Sequence, residues 1–123
     1  MPAIAKLSLF ALDTHDPRRL AEFYAAITGW SAVESEGGAW IRLRGDEGAT
    51  LAFQLAPDHQ PPVWPSADHP QQAHVDFDVD DLDVGEAAVV ALGARKTDFQ
   101  PEPDAFRVFL DPAGHPFCLV LAD

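Results

Sequence analysis

The alternation of apolar and polar residues predicts one strand, one helix and three further strands in the first half of the chain. Residues 6–12 form a short apolar run that is typical of a buried strand. Asp16 can cap a helix, Pro17 suits its first position, and Gly29 supplies the left-handed residue that ends it. Between them, apolar residues recur at helical spacing and make one face, at Leu20, Phe23, Tyr24 and Ile27. The three strands are predicted at residues 30–34, 39–44 and 50–56.

The second half repeats this order. Residues 73–79 alternate strictly, so His74, Asp76 and Asp78 share the polar face of a strand. A helix is predicted at residues 84–92, with Asp83 and Glu86 as a capping box and Gly93 as its end. Strands are predicted near residues 95–98, 106–110 and 117–121, and residues 111–114 (DPAG) fit a type I turn between the last two.

The spacing of these signals indicates an internal duplication. Gly29 and Gly93 lie 64 residues apart, and the strand-to-helix junctions at Asp16 and Asp81 lie 65 apart. Residues 57–72 hold five prolines and show no period, which predicts an extended connector. Each half alone would be marginal for independent folding. We therefore expect a single domain over residues 1–123, with modules at about 4–56 and 73–122 that share one core.

Composition and charge narrow the possible functions. The chain has 123 residues, and Cys118 is its only cysteine, so an internal disulfide is excluded. The net charge is −12, and residues 68–123 carry 12 acidic against 3 basic side chains. A basic face is missing, so neither nucleic acid nor an anionic membrane surface is an expected partner. The acidic balance favours cationic ligands, although plain solubility also explains it. Neither a membrane span nor a signal peptide is found, so a cytoplasmic location is expected.

Four fragments of the sequence resemble the vicinal oxygen chelate superfamily, which includes glyoxalase I, extradiol dioxygenases, and bleomycin- and fosfomycin-resistance proteins. The fragments are LDTHDPRRLAEFYAAITGW, HVDFDVDD, ALGA and LDPAGHPFCLV. The segments around WP and PQQAHVD are similar to a small glyoxalase-like branch whose chemistry is mostly unassigned. The resemblance implies an α+β fold in which two tandem βαβββ modules form a curved mixed sheet around a cup. It also implies a divalent metal held by ligands from both modules, and a homodimer.

The positions that correspond to the family's metal ligands are only partly filled. His74, seven residues before Asp81, matches the family's histidine, and Gln54 stands where the first module offers Glu or Gln. Leu7 and Leu9 fall where a further His or Gln is usual, and Cys118 replaces the usual Glu. The resemblance therefore implies an incomplete site, with His74 and Gln54 as metal candidates. We therefore treat a divalent metal as one alternative for this site and not as a required cofactor.

Several other side chains are candidates for binding a small molecule. Asp76 lies two residues beyond His74 on the same strand face, and Cys118 faces away from its apolar neighbours, towards the cup in the resemblance. Trp40, Trp64 and Phe109 could line a pocket for a planar ligand, and Arg42 could bind a carboxylate. Core packing is the alternative for each aromatic residue. For Cys118 the alternative is a small buried apolar residue.

The sequence therefore leaves three functions open. The first is a glyoxalase-like small-molecule-binding protein with a degenerate metal site, which sequesters a cationic or aromatic ligand. The second is a metal-dependent lyase or dioxygenase of glyoxalase type, in which the metal polarises a substrate oxygen. The third is an interaction module with an empty cup. Metal occupancy at His74 distinguishes the first two.

Overall fold

A computed structural model of the chain describes residues 3–45 and 48–122. It divides into two compact units, Met1–His59 and Gln60–Asp123, and the division falls inside the predicted connector. Each unit contains one strand, one helix and three strands in that order. The predicted α+β class with two βαβββ modules is confirmed.

The first unit is one helix packed on a four-stranded mixed sheet in the order β1-β4-β3-β2. β1 and β4 are parallel, and the other two pairs are antiparallel. Its elements are β1 (Phe10–Thr14), α1 (Pro17–Thr28), β2 (Ser31–Ser35), a 3-10 turn (Glu36–Gly38), β3 (Trp40–Arg44) and β4 (Thr50–Leu55).

The ends of α1 match the sequence signals. The carboxylate of Asp16 accepts a hydrogen bond from the Arg19 backbone amide, and Gly29 takes the left-handed conformation with φ of 76°. The apolar face of the helix packs on the sheet, where the Tyr24 ring stacks on Phe53 with centroids 5.6 Å apart. The fully buried core of this unit comprises Leu20, Phe23, Tyr24, Ile41, Leu43 and Phe53.

The second unit repeats the architecture, with a sheet in the order β5-β8-β7-β6. β5 runs parallel to β8, whereas the β7–β8 and β6–β7 pairs are antiparallel. Its elements are β5 (Val75–Val79), α2 (Leu82–Ala91), β6 (Arg95–Lys96), β7 (Phe106–Leu110) and β8 (Pro116–Leu121). The predicted turn between the last two strands is confirmed, since the Gly114 amide donates to the Asp111 carbonyl at 2.9 Å.

α2 is held to its sheet by packing and by ion pairs. Leu82 and Val89 are buried, and α2 contacts both β7 and β8. Glu86 accepts from Arg107 of β7 at 3.1 Å and pairs with Lys96 of β6 at 2.9 Å. The hydrogen bond from Lys96, with a further contribution from Arg107, holds the pKa of the Glu86 carboxyl below its ordinary value. This network ties the helix to the two strands at one side of the sheet.

Several predicted boundaries are wrong. β5 begins at Val75 and not at residue 73, so His74 precedes the strand, and α2 begins at Leu82 and not at residue 84. β1 begins at Phe10 and not at residue 6, because its parallel partner β4 pairs with it only from Leu51 onward. Leu7, predicted in the buried strand, is 90% exposed. In the second unit, Asp81 and not Asp83 caps the helix, because its carboxylate accepts from the Val84 amide at 3.0 Å. Asp83 instead pairs with Arg107 at 2.8 Å.

Candidate ligand-binding cavity

One face of the second sheet packs in the core of the unit. The opposite face carries both polar and apolar side chains. The alternation that buries Phe117 and Leu119 places Cys118 on this opposite face. In the strand register, Cys118 lies between Asp76 of β5 and Val108 of β7. Three neighbouring strands therefore place a carboxylate, a thiol and an aliphatic side chain in one row.

A cavity of about 400 Å³ lies against this face. Residues of the second unit form its wall. They are Trp64, Gln71, His74, Asp76, Pro101, Phe106, Val108, Cys118 and Val120. Ligand pockets typically measure about 300–1,000 Å³ and combine an apolar wall with a few polar groups. The cavity has the size and the composition of a small-molecule site.

The proline-rich segment before β5 contributes two residues, Trp64 and Gln71, to the cavity wall. The Trp64 ring stacks on Phe99 with centroids 5.6 Å apart. Pro61 of the same segment packs on the β7–β8 turn, where a Cβ added to Gly114 would lie 2.5 Å from the Pro61 Cβ. This close approach fixes part of the segment against the sheet that bears the cavity.

Three cavity residues form a compact polar cluster. The Nε2 atom of His74 lies 3.1 Å from Oδ1 of Asp76, and the two side chains are 39% and 55% exposed. The potential metal-ligating atoms of His74, Asp76 and Cys118 all lie within 4.8 Å of one another. The predicted grouping of His74 with Asp76 and Cys118 is therefore present in the structure, although its function stays a prediction.

The surroundings of Cys118 disfavour its thiolate form. Burial raises its pKa from 9.0 to about 12, and the neighbouring Asp76 carboxylate adds to the shift by charge repulsion and by a hydrogen bond. Nucleophilic catalysis needs a lowered thiol pKa. The cavity therefore favours the protonated thiol, as a hydrogen-bond donor to Asp76.

Gln71 contributes an unusual group to the wall. Its Oε1 atom is buried and has no hydrogen-bond partner among residues 3–45 and 48–122. Nearly all buried polar side-chain atoms in proteins are paired. An acceptor without a partner on the wall of a cavity is therefore a candidate ligand contact.

Phe109 does not line the cavity. It is fully buried and stacks on Phe117, with ring centroids 5.6 Å apart and an angle of 25°. Phe109 follows Val108 on β7, so it points to the opposite face of the sheet. Its placement corrects the sequence interpretation, because alternation along β7 assigns the cavity face to Phe106 and Val108.

Three other candidates lie on the first sheet. Gln54 of β4 is exposed and pairs in register with Trp40 of β3 on one side and Asp13 of β1 on the other. Arg42 is half-buried and lies opposite Ala52. Trp40, Arg42 and Gln54 thus share the polar face of the first sheet. Their part in binding remains a prediction, as does Gln54 as a metal ligand.

Sequence reasoning missed five residues of the cavity wall: Gln71, Pro101, Phe106, Val108 and Val120. Alternation along β7 and β8 carried a signal for Phe106, Val108 and Val120, since they occupy the same face as Cys118. Gln71 and Pro101 lie in irregular segments that have no period, so no pattern could have assigned them to the site.

Solved structures with the same fold include a fosfomycin resistance protein, a glyoxalase/bleomycin resistance protein/dioxygenase family enzyme and a possible glyoxalase. A mutant of the fosfomycin resistance protein FosX from Listeria monocytogenes, complexed with Mn(II) and 1S,2S-dihydroxypropylphosphonic acid, aligns with a TM-score of 0.73. The two are 18% identical, over 98% of this chain and 93% of that one. A glyoxalase/bleomycin resistance protein/dioxygenase family enzyme from Burkholderia phytofirmans aligns with a TM-score of 0.70 at 20% identity, over 94% and 97% of the two chains. A possible glyoxalase from Bacillus cereus aligns at 0.71 and 18%, over 96% and 99%.

These likenesses show that the chain shares the fold of these proteins. The chain belongs to the glyoxalase-like domain family, whose model matches residues 9–120. Among curated proteins, none matches the chain. In the described part of the chain, neither helix has the length and apolar character that crossing a bilayer requires.

Proposed function

We propose that this protein binds a small aromatic, cationic molecule in the cavity of its second unit. The observation that carries the proposal is the composition of the cavity wall. Trp64 and Phe106 offer aromatic surface, and Asp76 is the only acidic residue among the lining residues. The described lining contains neither lysine nor arginine. Such a wall favours an aromatic body that carries a positive charge.

The negative net charge of the chain supports the same class of ligand. The whole chain carries −12, and most of that excess lies in residues 68–123. An acidic surface raises the local concentration of cations and slows the approach of anions. The phosphonic acid in the FosX complex is an anion at neutral pH, whereas the ligand proposed here is a cation. We therefore expect the ligand of this chain to differ in charge from that of this structural neighbour.

A titration with three phenyl compounds of different charge tests the proposal. Benzyldimethylammonium, benzyl alcohol and benzoate are added to the full chain, and amide chemical shifts are followed by NMR. We expect affinity to fall from the cation to the alcohol to the anion, with shifts at Val108, Cys118 and Val120. Preferred binding of benzoate, or equal affinities for all three compounds, would contradict the proposal.

Variants locate the binding. Trp64→Ala removes the larger of the two aromatic side chains in the cavity wall, and we expect it to weaken cation binding by about tenfold. Trp40→Ala, in the first unit, serves as the matched control for removal of an indole. If both variants weaken binding equally, the site is not the cavity of the second unit.

A metal-dependent lyase or dioxygenase is the second candidate, and the polar cluster favours it. His74 Nε2, an Asp76 oxygen and Cys118 Sγ would hold the ion, a donor set that suits Zn²⁺ better than Mg²⁺. Ligand atoms on one tetrahedral zinc lie about 3.3–3.8 Å apart, so the cluster must contract by about 1 Å. The exposed His74 and Asp76 side chains allow that movement. When bound, a metal would supply Lewis-acid polarisation of a substrate oxygen.

A thermal-shift titration with Zn²⁺, Ni²⁺, Mn²⁺ and Fe²⁺ decides between the two candidates. A ligand at 100 times its Kd adds about 2.7 kcal/mol, which raises the Tm by several degrees. His74→Ala should abolish a rise due to the cluster, whereas His69→Ala, on an exposed loop, should leave it unchanged. A rise that survives His74→Ala would place the metal elsewhere, and the absence of any rise would leave a metal-free binding protein.

A further inference from the structure

The cavity holds one buried acceptor that none of the described residues satisfies, the Oε1 atom of Gln71. Burial without a hydrogen bond is unfavourable for an amide oxygen, so such atoms are rare in folded proteins. Gln100 in the same unit shows the usual arrangement. Its oxygen accepts from the Val108 amide at 2.9 Å, and its nitrogen donates to the Val108 carbonyl at 2.8 Å. Gln71 thus combines a place in the cavity wall with a side-chain acceptor that lacks a partner among the described residues.

The other polar groups near this surface restrict what can satisfy Gln71. The Asp76 carboxylate is acceptor-only when ionised, and it already faces His74 Nε2 and the Cys118 thiol. The donors of the cluster are thus directed to Asp76. A ligand that approaches this wall meets the Asp76 carboxylate and the Gln71 side chain, whose oxygen lacks a partner in the described part of the chain. Among the described lining residues there is neither a lysine nor an arginine beside them.

We infer that Gln71 is a specificity residue that recognises an N–H group on the cationic centre of the ligand. This inference rests on the proposed function and deepens it from a cation in general to a protonated amine that still carries at least one hydrogen. A quaternary ammonium matches the aromatic wall and the acidic field equally well, but it has no hydrogen to donate to Gln71. Protonated primary, secondary and tertiary amines are therefore the substrate class, and quaternary ammonium ions are discriminated against.

Two ligands that differ by one methyl group test the inference. Benzyldimethylammonium carries one N–H, and benzyltrimethylammonium carries none, while charge and aromatic ring are the same. At pH 7, by NMR titration of the full chain, we expect the tertiary ion to bind about tenfold more tightly. A hydrogen bond to a charged donor supports a ratio of this size.

The variants separate the contribution of Gln71 from that of ligand size. Gln71→Met keeps the length of the side chain and removes the oxygen, so the affinity ratio should fall to about one through weaker binding of the tertiary ion. Gln72→Met is the matched control, because Gln72 is exposed and adjacent in sequence. It should leave the ratio unchanged. Gln71→Glu keeps an acceptor and adds a charge, so it should strengthen binding of the tertiary ion.

The outcomes distinguish this inference from the function on which it rests. Binding of both ions with a ratio near one in the wild type would overturn the inference and leave the proposed function intact. A ratio that persists in Gln71→Met would also overturn it. Failure of both ions to bind would overturn the proposed function itself. Tighter binding of benzoate than of either ion would overturn the proposed function and, with it, the acceptor role of Gln71.

Discussion

His74 and Asp76 lie within hydrogen-bonding distance, with Nε2 of the imidazole 3.1 Å from Oδ1 of the carboxylate. His74 directly precedes β5, and Asp76 is the second residue of that strand. The pair stands next to Cys118, whose strand is parallel to that of Asp76 and in register with it. Two residues that are close in sequence and one distant residue thus form the polar cluster of the cavity.

The first prediction concerns the reactivity of Cys118. Its thiol should react with a disulfide reagent such as DTNB more than about tenfold more slowly in the folded protein than in urea at pH 8. Burial raises its pKa to about 12, so very little thiolate exists at that pH. The measurement is the rate of thiol release in each state. Asp76→Asn should speed the reaction in the folded protein, whereas Asp78→Asn, on the same strand face, should not.

The raised pKa of the Cys118 thiol also predicts how the stability of the protein changes in alkaline solution. The folded state holds the thiol proton more tightly than the unfolded chain, whose thiol has an ordinary pKa of 9.0. The contribution to the free energy of unfolding is therefore complete below about pH 9 and is lost as the pH rises towards 12. Urea unfolding of wild type and Cys118→Ala at pH 7, 9 and 10 measures it. Parallel pH profiles for the two proteins would contradict the prediction.

A second pair of variants tests the helix cap. Asp81→Ala should lower the free energy of unfolding by about 1 kcal/mol, because the Val84 amide loses its acceptor. Asp80→Ala removes an exposed carboxylate one residue earlier and should change stability by less than about 0.5 kcal/mol. Chemical denaturation followed by circular dichroism measures both values. Equal effects would mean that net charge, and not capping, accounts for the loss.

The placement of Phe109 in the core predicts a large loss of stability when its ring is removed. Phe109→Ala should cost about 3–5 kcal/mol, since the side chain is fully buried and stacks on Phe117. Phe99→Ala is the matched control, because Phe99 is 53% exposed and its ring stacks on the Trp64 ring. It should cost about 1 kcal/mol. A small effect of Phe109→Ala on urea unfolding would argue that its ring is not part of the core.

Gly114 offers a test of how the proline-rich segment is attached. Gly114→Ala combines backbone strain at φ of 91° with a clash against Pro61. Gly29→Ala imposes similar strain at φ of 76° with no atom within 4 Å of the new Cβ. Strain at a left-handed residue lowers the free energy of unfolding by on the order of 1–3 kcal/mol. The loss in Gly114→Ala should exceed the loss in Gly29→Ala, because Gly114→Ala must also displace Pro61. Thermal unfolding of both variants measures the two losses of stability. Equal losses would contradict the prediction.

The sequence predicted the order of elements well, because each signal was local. Asp16 and Gly29 mark the ends of α1 by short-range hydrogen bonding and backbone preference, and both features are observed. The start of β1 could not be predicted in the same way. Residues 6–9 are as apolar as the strand that follows, but a strand extends only as far as its partner, and β4 pairs from Leu51.

The site was predictable only where strand alternation applied. That rule placed His74, Asp76 and Cys118 on one face, and the register of β5 and β8 then brought them together. Trp64 was predicted from its residue type and its place in the connector. Gln71 was not predicted, since its importance depends on the burial of one oxygen atom, a tertiary property that no local pattern encodes.

The stacking of Trp64 on Phe99 at the cavity wall has an optical consequence. The chain has three tryptophans, and the other two, Trp30 and Trp40, belong to the first unit. Indole emission responds to the polarity and to the quenching groups around the ring. Trp64 is therefore a natural fluorophore at the cavity, and Trp64→Phe would isolate its signal by difference. Occupancy of the cavity can in this way be followed in the unlabelled protein, at concentrations far below those that NMR requires.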